Sequence, residues 1–314
     1  MRRQTGDGGS RTKVLGLVLS IVALPVVSVP FQAAYFYRYN GDNGSMVSSG
    51  LERTYLVHVS TRYDPSKPTP LVLSFHGAGL WGAAQRDMSR WDEVADDEGF
   101  IVVYPSGLGS RGLRVWHVEP GNRGGPDNRF ISELIDTLRA KYNIDTTRIY
   151  ANGLSNGGGM SFGLSCALSD RIAAVGLVGS AQTEPWNSCP DTTPVPMVNF
   201  HGTDDRFAAY RGGTSWVLPH GQAFPSQLVW TANWAKRNRC ASLPVDSVVT
   251  RDVTRRSYRQ CAHNADVVLY TIAGGGHTWP GGGPHPAWFV GKQTHSIDAS
   301  RIMWQFFRDH PFKR

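Results

Sequence analysis

Gly153-Leu154-Ser155-Asn156-Gly157, preceded by the strand-like run Arg148-Ile149-Tyr150 and followed by a glycine-rich stretch to Ala167, decides how this chain is read. The pentapeptide fits G-x-S-x-G, the pattern of a sharp strand-to-helix turn that holds a serine hydroxyl above a sheet. Residues 147–151 read as a short buried strand and residues 156–167 as a helix, so the strand-turn-helix context that the motif needs is present. Glycine is expected at 153 and 157 for two reasons. A side chain would collide across so tight a bend, and glycine tolerates strained backbone angles.

The flanking sequence repeats the same alternation. Residues 53–59 alternate and read as an outer strand, and 70–75 as a central strand ending in the turn His76-Gly77-Ala78-Gly79. A helix is predicted over 83–98, stopped by Gly99, then a strand over 100–104 closed by Pro105. Residues 106–125 form a glycine- and arginine-rich loop around Trp116, after which Asp127 is predicted to cap a helix over 128–142. Beyond the serine turn come strands at 172–178, 196–200 and 267–272, a helix around 230–236 and a closing helix over 297–309. Such alternation predicts an α/β fold, a mostly parallel central sheet with helices on both faces. No internal repeat is seen. The expected catalytic domain is 52–314, with an irregular insert at 206–226 rimming its site.

The net charge is +7, and residues 1–13 carry +3 of it through Arg2, Arg3, Arg11 and Lys13 against Asp7. The remainder shows no basic stripe with interleaved aromatics, so no nucleic-acid partner is expected. Residues 14–37 are uncharged. They read as a long signal peptide, with cleavage near Ser28 or Ala33-Ala34, or as a retained membrane anchor, weakened as a straight span by Pro25 and Pro30. The anchor is the reading favoured here. Either puts the catalytic part outside the cytoplasm, since the basic flank stays inside. Residues 38–51, rich in Gly, Ser and Asn, read as a linker. Ten tryptophans suggest a hydrophobic or carbohydrate-contacting surface beyond those in the core. Four cysteines, Cys166, Cys189, Cys240 and Cys261, follow the export segment and permit three pairings. Neighbour pairing would close two loops of about twenty residues, each stabilising by roughly 3 kcal/mol. With neither a CxxC nor a His/Cys cluster in the sequence, no metal and no cofactor are expected.

A serine hydroxyl needs a base to take its proton, and the base needs a partner to orient it. On sheets of this kind the partners follow in the order Ser, Asp or Glu, His, each after a strand. The strand ending at Phe200 is followed by His201-Gly202-Thr203-Asp204-Asp205, and that ending at Ile272 by Gly274-Gly275-Gly276-His277. His277 is the expected base. His285 and His295 follow no predicted strand. Spacing alone leaves Asp205 and Asp204 both open as the acid. The intermediate's oxygen needs hydrogen-bond donors. The backbone N–H of Asn156, at a helix start, is one; the other is expected from Ala78, with Gly79 close behind. Trp116 and Trp279 are candidate pocket residues.

With these residues in place, the chain resembles the secreted polyhydroxybutyrate depolymerase and feruloyl esterase-like group of α/β-hydrolases, over roughly residues 52–310. The resemblance is carried by Leu73-Ser74-Phe75-His76-Gly77, by Gly99 to Pro105, by Gly153 to Gly158, by His201 to Asp205 and by Gly275-Gly276-His277-Thr278-Trp279-Pro280-Gly281. It implies Ser155 as nucleophile, Asp205 rather than Asp204 as acid and His277 as base. Neighbouring cysteines would be joined, 166 to 189 and 240 to 261. The implied activity is extracytoplasmic serine esterase chemistry through an acyl-enzyme, on a polyester, a feruloylated or acetylated polysaccharide, or a small ester. The alternatives are a non-catalytic binding module and a peptidase of the same fold. One stretch departs from the family, Arg206-Phe207-Ala208-Ala209 before Tyr210, where a proline-containing sequence is usual. It bears on substrate preference more than on the triad.

Overall fold

The computed structural model describes residues 41–110, 113–189, 191, 193–215, 223–241 and 243–312, and those from Asp42 onward form one compact unit. The basic tail and the apolar segment 14–37 lie outside the described residues. No helix among the described residues is long and apolar enough to cross a membrane.

The chain opens with β1 (Gly44–Ser48), β2 (Leu51–Val59) and β3 (Thr69–Phe75), then α1 (Gly82–Ser89), α2 (Trp91–Glu98) and β4 (Ile101–Pro105). A small hairpin of β5 (Leu108–Ser110) and β6 (Leu113–Val115) precedes α3 (Pro126–Lys141), β7 (Ile144–Leu154), α4 (Asn156–Ala167), β8 (Ala174–Val178) and β9 (Met197–Gly202). The ribbon β10 (Gly213–Thr214) and β11 (Ala223–Phe224) leads to α5 (Gln227–Arg237), β12 (Val245–Val248), β13 (Val253–Tyr258) and β14 (Val267–Ile272). A short turn, α6 (Ala287–Val290), and α7 (Ala299–Asp309) complete it.

Among the described residues, ten strands form one sheet in the order β1-β2-β4-β3-β7-β8-β9-β14-β13-β12. The run from β4 through β14 is parallel, with antiparallel strands at both margins. The strands β3, β4, β8 and β9 are buried at every position, because both faces of the sheet are covered. Leu71, Leu73 and Phe75 of β3 pack with Phe130, Leu134 and Trp230 on one face, while Val72 packs with Trp91, Trp304 and Phe307 on the other. The expected α/β architecture is therefore what the chain adopts.

Several local expectations need correction. Part of the expected linker is β1, which pairs with β2 from Gly44 opposite Tyr55 to Ser48 opposite Leu51. Its polar composition hid it, because an edge strand needs only backbone partners on one side. The single helix expected at 83–98 is two. Arg90 breaks it in the left-handed region (φ 55°), and the carbonyls of Met88 and Ser89 are taken by Gly283 N–H (2.9 Å) and the Ser300 hydroxyl (2.6 Å). Asp127 does not cap α3. Gly125 is the cap and Pro126 the first residue, while the buried Asp127 carboxylate accepts from Arg53 (2.6 Å) and His117 N–H (2.8 Å). The hairpin β12–β13 has no counterpart among the predicted elements, its residues being too polar for an apolar-run reading. Cys166–Cys189 and Cys240–Cys261 are joined, the neighbour pairing. Both disulfides fit an oxidising, extracytoplasmic compartment.

Candidate active site

Ser155 stands between the end of β7 and the start of α4 with φ 55° and ψ −119°, angles that cost a non-glycine residue about 1–3 kcal/mol. Three hydrogen bonds hold it there. Its N–H donates to Val178 O (2.8 Å), and its carbonyl accepts from Gly159 N–H (3.0 Å) and the Ser180 hydroxyl (2.9 Å). The strain thus sits on the serine and not on the motif's glycines, as the sequence suggested. Those glycines are there for room. A Cβ on Gly153 would lie 2.5 Å from the Gly157 carbonyl carbon, and one on Gly157 would lie 2.6 Å from His76 O.

The strands β7, β8, β9 and β14 are parallel neighbours, so their C-terminal loops share one edge of the sheet. On that edge His277 Nδ1 donates to Asp205 Oδ2 at 2.8 Å. The other oxygen of Asp205 accepts from Phe207 N–H (2.8 Å) and Ala208 N–H (2.9 Å). Burial pushes this carboxyl up, but the His277 hydrogen bond, the charges of His277 and His201 and the Ala208 N–H outweigh it and leave it below the usual carboxylate range. Asp204, which spacing had left open, is exposed, and its side chain accepts from Thr203 (3.1 Å). The pair lies beside the end of β8, where a Cβ on Gly179 would be 3.2 Å from His277 Nδ1 and 3.4 Å from Asp205 Oδ2. Val178, the residue before Gly179, is the one that holds the Ser155 N–H. Ser155 and the His277–Asp205 pair are thus gathered around a single strand end. His285, a rival base, accepts from Trp279 N–H (3.3 Å), and burial first, then the charges of His277 and His295, lower it to about 4.

Two buried histidines were quoted within sequence motifs but given no role. His201 Nε2 donates to Ala208 O (2.6 Å) and lies 3.4 Å from Asp205 Oδ2. Burial lowers its pKa, opposed by the charge of Asp205 and the hydrogen bond to Ala208. His76 is more informative. Its Nε2 lies 2.9 Å from Gly107 N–H, which can only donate, so Nε2 accepts. Nδ1 therefore carries the proton and donates to Gly77 O at 2.7 Å. The Gly77–Ala78 peptide is planar, so pinning that carbonyl also fixes the direction of the Ala78 N–H. Gly77 adjoins the serine, since a Cβ there would lie 3.5 Å from Ser155 Cβ. Gly79, the third expected donor, is corrected: its N–H is committed to Arg114 O at 2.7 Å. Asn156 begins α4, where the first N–H groups have no helical partner. Its side-chain amide brackets Trp116, accepting from Trp116 N–H (2.7 Å) and donating to Trp116 O (3.0 Å).

The two candidate pocket tryptophans do not line a pocket. Trp279 is fully buried and donates to the Ser300 hydroxyl (3.0 Å). Trp116, 3% exposed, donates to His76 O (3.1 Å) and packs edge-on to Phe75. Both follow the rule that a buried indole gives its N–H a partner; here each braces a loop of the site. Among the described residues no three His, Cys, Asp or Glu side chains gather as metal ligands.

Several known proteins are similar to this chain. The family model described as Esterase PHB depolymerase matches residues 64–186, a stretch that holds Ser155 and ends before Asp205 and His277. The chain is 30% identical over 238 residues to feruloyl esterase B of Piromyces equi, covering 72% of this chain and 42% of that protein. It is 30% identical over 183 residues to the bifunctional acetylxylan esterase/xylanase XynS20E of Neocallimastix patriciarum, covering 58% of this chain and 26% of that one. It thus spans less than half the length of either. An acetyl xylan esterase from Aspergillus awamori superposes with a TM-score of 0.57 at 15% identity, over 81% of this chain and 93% of that one, a likeness of fold. The chain therefore has the α/β-hydrolase fold, and over residues 64–186 it is similar to the Esterase PHB depolymerase family.

Proposed function

We propose that the chain is a serine carboxylic ester hydrolase in which Ser155 is the nucleophile, His277 the base and Asp205 its orienting acid. The observation that carries this reading is the 2.8 Å hydrogen bond from His277 Nδ1 to Asp205, made next to the strand end that anchors Ser155. With Nδ1 donating, Nε2 is left to take a proton. Ser155 Oγ attacks the ester carbonyl carbon and gives its proton to His277 Nε2. The negative oxygen that forms is met by the N–H groups of Asn156 and Ala78. Collapse breaks the bond to the alcohol oxygen, which leaves with the proton from His277. Water then attacks the acyl-serine, gives a proton to His277, and releases the acid as Ser155 Oγ recovers that proton.

The substrates in keeping with this chemistry are polyhydroxyalkanoate-type polyesters and feruloyl or acetyl esters of polysaccharides. Residues 14–37 would hold the enzyme outside the cytoplasm as a retained anchor, supported by their uncharged sequence behind a basic flank. N-terminal sequencing of exported protein tests the anchor, and a mature chain starting beyond residue 37 would refute it. For the activity, Ser155→Ala is expected to abolish p-nitrophenyl ester cleavage and fluorophosphonate labelling in a folded protein. Cleavage at the wild-type rate would overturn the assignment.

A further inference from the structure

The stretch that departs from the family sequence, Arg206 to Ala209, sets an aromatic ring against the proposed base. The Phe207 ring lies 4.9 Å from the His277 ring, centroid to centroid. Phe289 of α6 meets Phe207 edge-on at 5.1 Å, and Trp288 meets Phe289 at 5.6 Å. The series runs outward from the base, with Phe207 half-buried, Phe289 48% exposed and Trp288 85% exposed. It is fixed relative to the base, because His277 N–H donates to Val290 O (2.7 Å) and Gly276 N–H to Lys292 O (2.8 Å). An indole that exposed gains little for folding, since burial is what stabilises an apolar side chain.

Beside α6, whose Ala287 and C-terminal neighbour Gly291 form part of the wall, lies a cavity of about 1080 Å³. Its polar lining includes Arg86, Arg90, Glu93, Lys292, Gln293 and His295. The two arginines are already matched, Arg86 with Asp87 (2.8 Å) and Arg90 with Glu93 through two bonds (2.8 and 2.7 Å). Such a wall offers donors and acceptors to neutral hydroxyl groups and little excess charge to an ion.

We propose that Phe207, Phe289 and Trp288 form the subsite for the alcohol half of the ester, and that this alcohol is a neutral carbohydrate chain. The inference rests on the ester-hydrolase reading above. In that chemistry His277 hands its proton to the departing alcohol oxygen, so a ring packed on the imidazole lies on the alcohol side of the scissile bond. A sugar ring presents C–H faces and hydroxyl edges. The faces match the exposed aromatic steps, and the edges match the polar cavity beside them. A polyester chain has no hydroxyl edges along its length and would leave that polar wall unused.

The test pairs one acyl group with two alcohols: ethyl acetate against acetylated xylotetraose, and methyl ferulate against feruloylated arabinoxylan fragments. The readout is the ratio of kcat/KM for the sugar ester to that for the small ester. In Trp288→Ala this ratio is expected to fall about five- to tenfold, chiefly through KM, with Trp288→Tyr restoring most of it. Trp288 is at the surface, so the variants fold. Wild-type cleavage of the small esters with an unchanged ratio in Trp288→Ala would overturn this inference alone. So would a loss confined to poly(3-hydroxybutyrate) particles. Failure of the wild type on every ester would overturn the hydrolase reading together with it.

Discussion

The His76 imidazole holds the carbonyl of the Gly77–Ala78 peptide, the peptide whose N–H is the proposed oxyanion donor. Consider His76→Ala. The variant loses the Nδ1–H bond to Gly77 O (2.7 Å) and the acceptor for Gly107 N–H (2.9 Å), both in a fully buried position. A buried orphan N–H costs about 1–3 kcal/mol, and the space left by the ring about 2–4 more, so a destabilisation of about 3–7 kcal/mol is expected. The catalytic effect is separable. Complete loss of one oxyanion donor costs about 2.7–4 kcal/mol in the barrier. Here Leu80 N–H still holds Gly77 O at 3.1 Å, so the peptide is loosened rather than released. A kcat lower by about ten- to a hundredfold follows, with KM little changed.

Fluorophosphonate titration would count competent serines, so the rate per labelled site excludes misfolded protein; urea denaturation would give stability. Acid adds a second signature. Burial, opposed by the Gly77 hydrogen bond, lowers His76 to about 4, against about 6.5 in the unfolded chain. Because the folded value is the lower one, this contribution is fully present above pH 6.5 and is lost as pH falls through 4. Its size is about 3 kcal/mol. His76→Ala should flatten that part of the stability profile. A folded variant with wild-type kcat per labelled serine would refute the reasoning.

Other expectations are simpler. Asp205→Asn should lower kcat about 10⁴-fold, because Nδ1 loses its charged partner, whereas Asp204→Asn should be close to wild type in the same esterase assay. Gly157→Ala pushes a methyl group against the backbone of β3 and its following turn, 2.6 Å from His76 O, so it should yield little soluble protein or a urea midpoint lowered by about 1 M; normal stability would contradict the packing described. Replacing Cys166 and Cys189 together by serine opens a loop with a sequence separation of 23 and should cost about 3 kcal/mol by urea denaturation, with activity retained below the new midpoint.

Much of this molecule is written in local sequence. The elbow at Ser155 and the buried strands could be read directly, because a strand covered on both faces is mostly apolar, and because G-x-S-x-G has few structural solutions. The serine, aspartate and histidine appear in chain order, each after a strand, for the same reason. What the sequence misplaced were features whose cause lies elsewhere in the fold. Arg90 breaks a helix because Gly283 and Ser300 capture the carbonyls just before it. Asp127 is drawn from a cap into a buried pair with Arg53. Edge strands β1 and β12 carry no apolar signature, since backbone hydrogen bonding alone holds their exposed side.

The amino-acid sequence by itself determined which chemistry was available: a serine on a strained turn, a histidine and an acid on later loops, an α/β alternation. Tertiary structure paired Asp205 and not Asp204 with His277, moved Trp116 and Trp279 into the packing, and set Phe207 against the His277 ring with Phe289 and Trp288 leading outward from it. Those choices depend on which side chains meet across long stretches of chain, and residue spacing holds no record of such meetings.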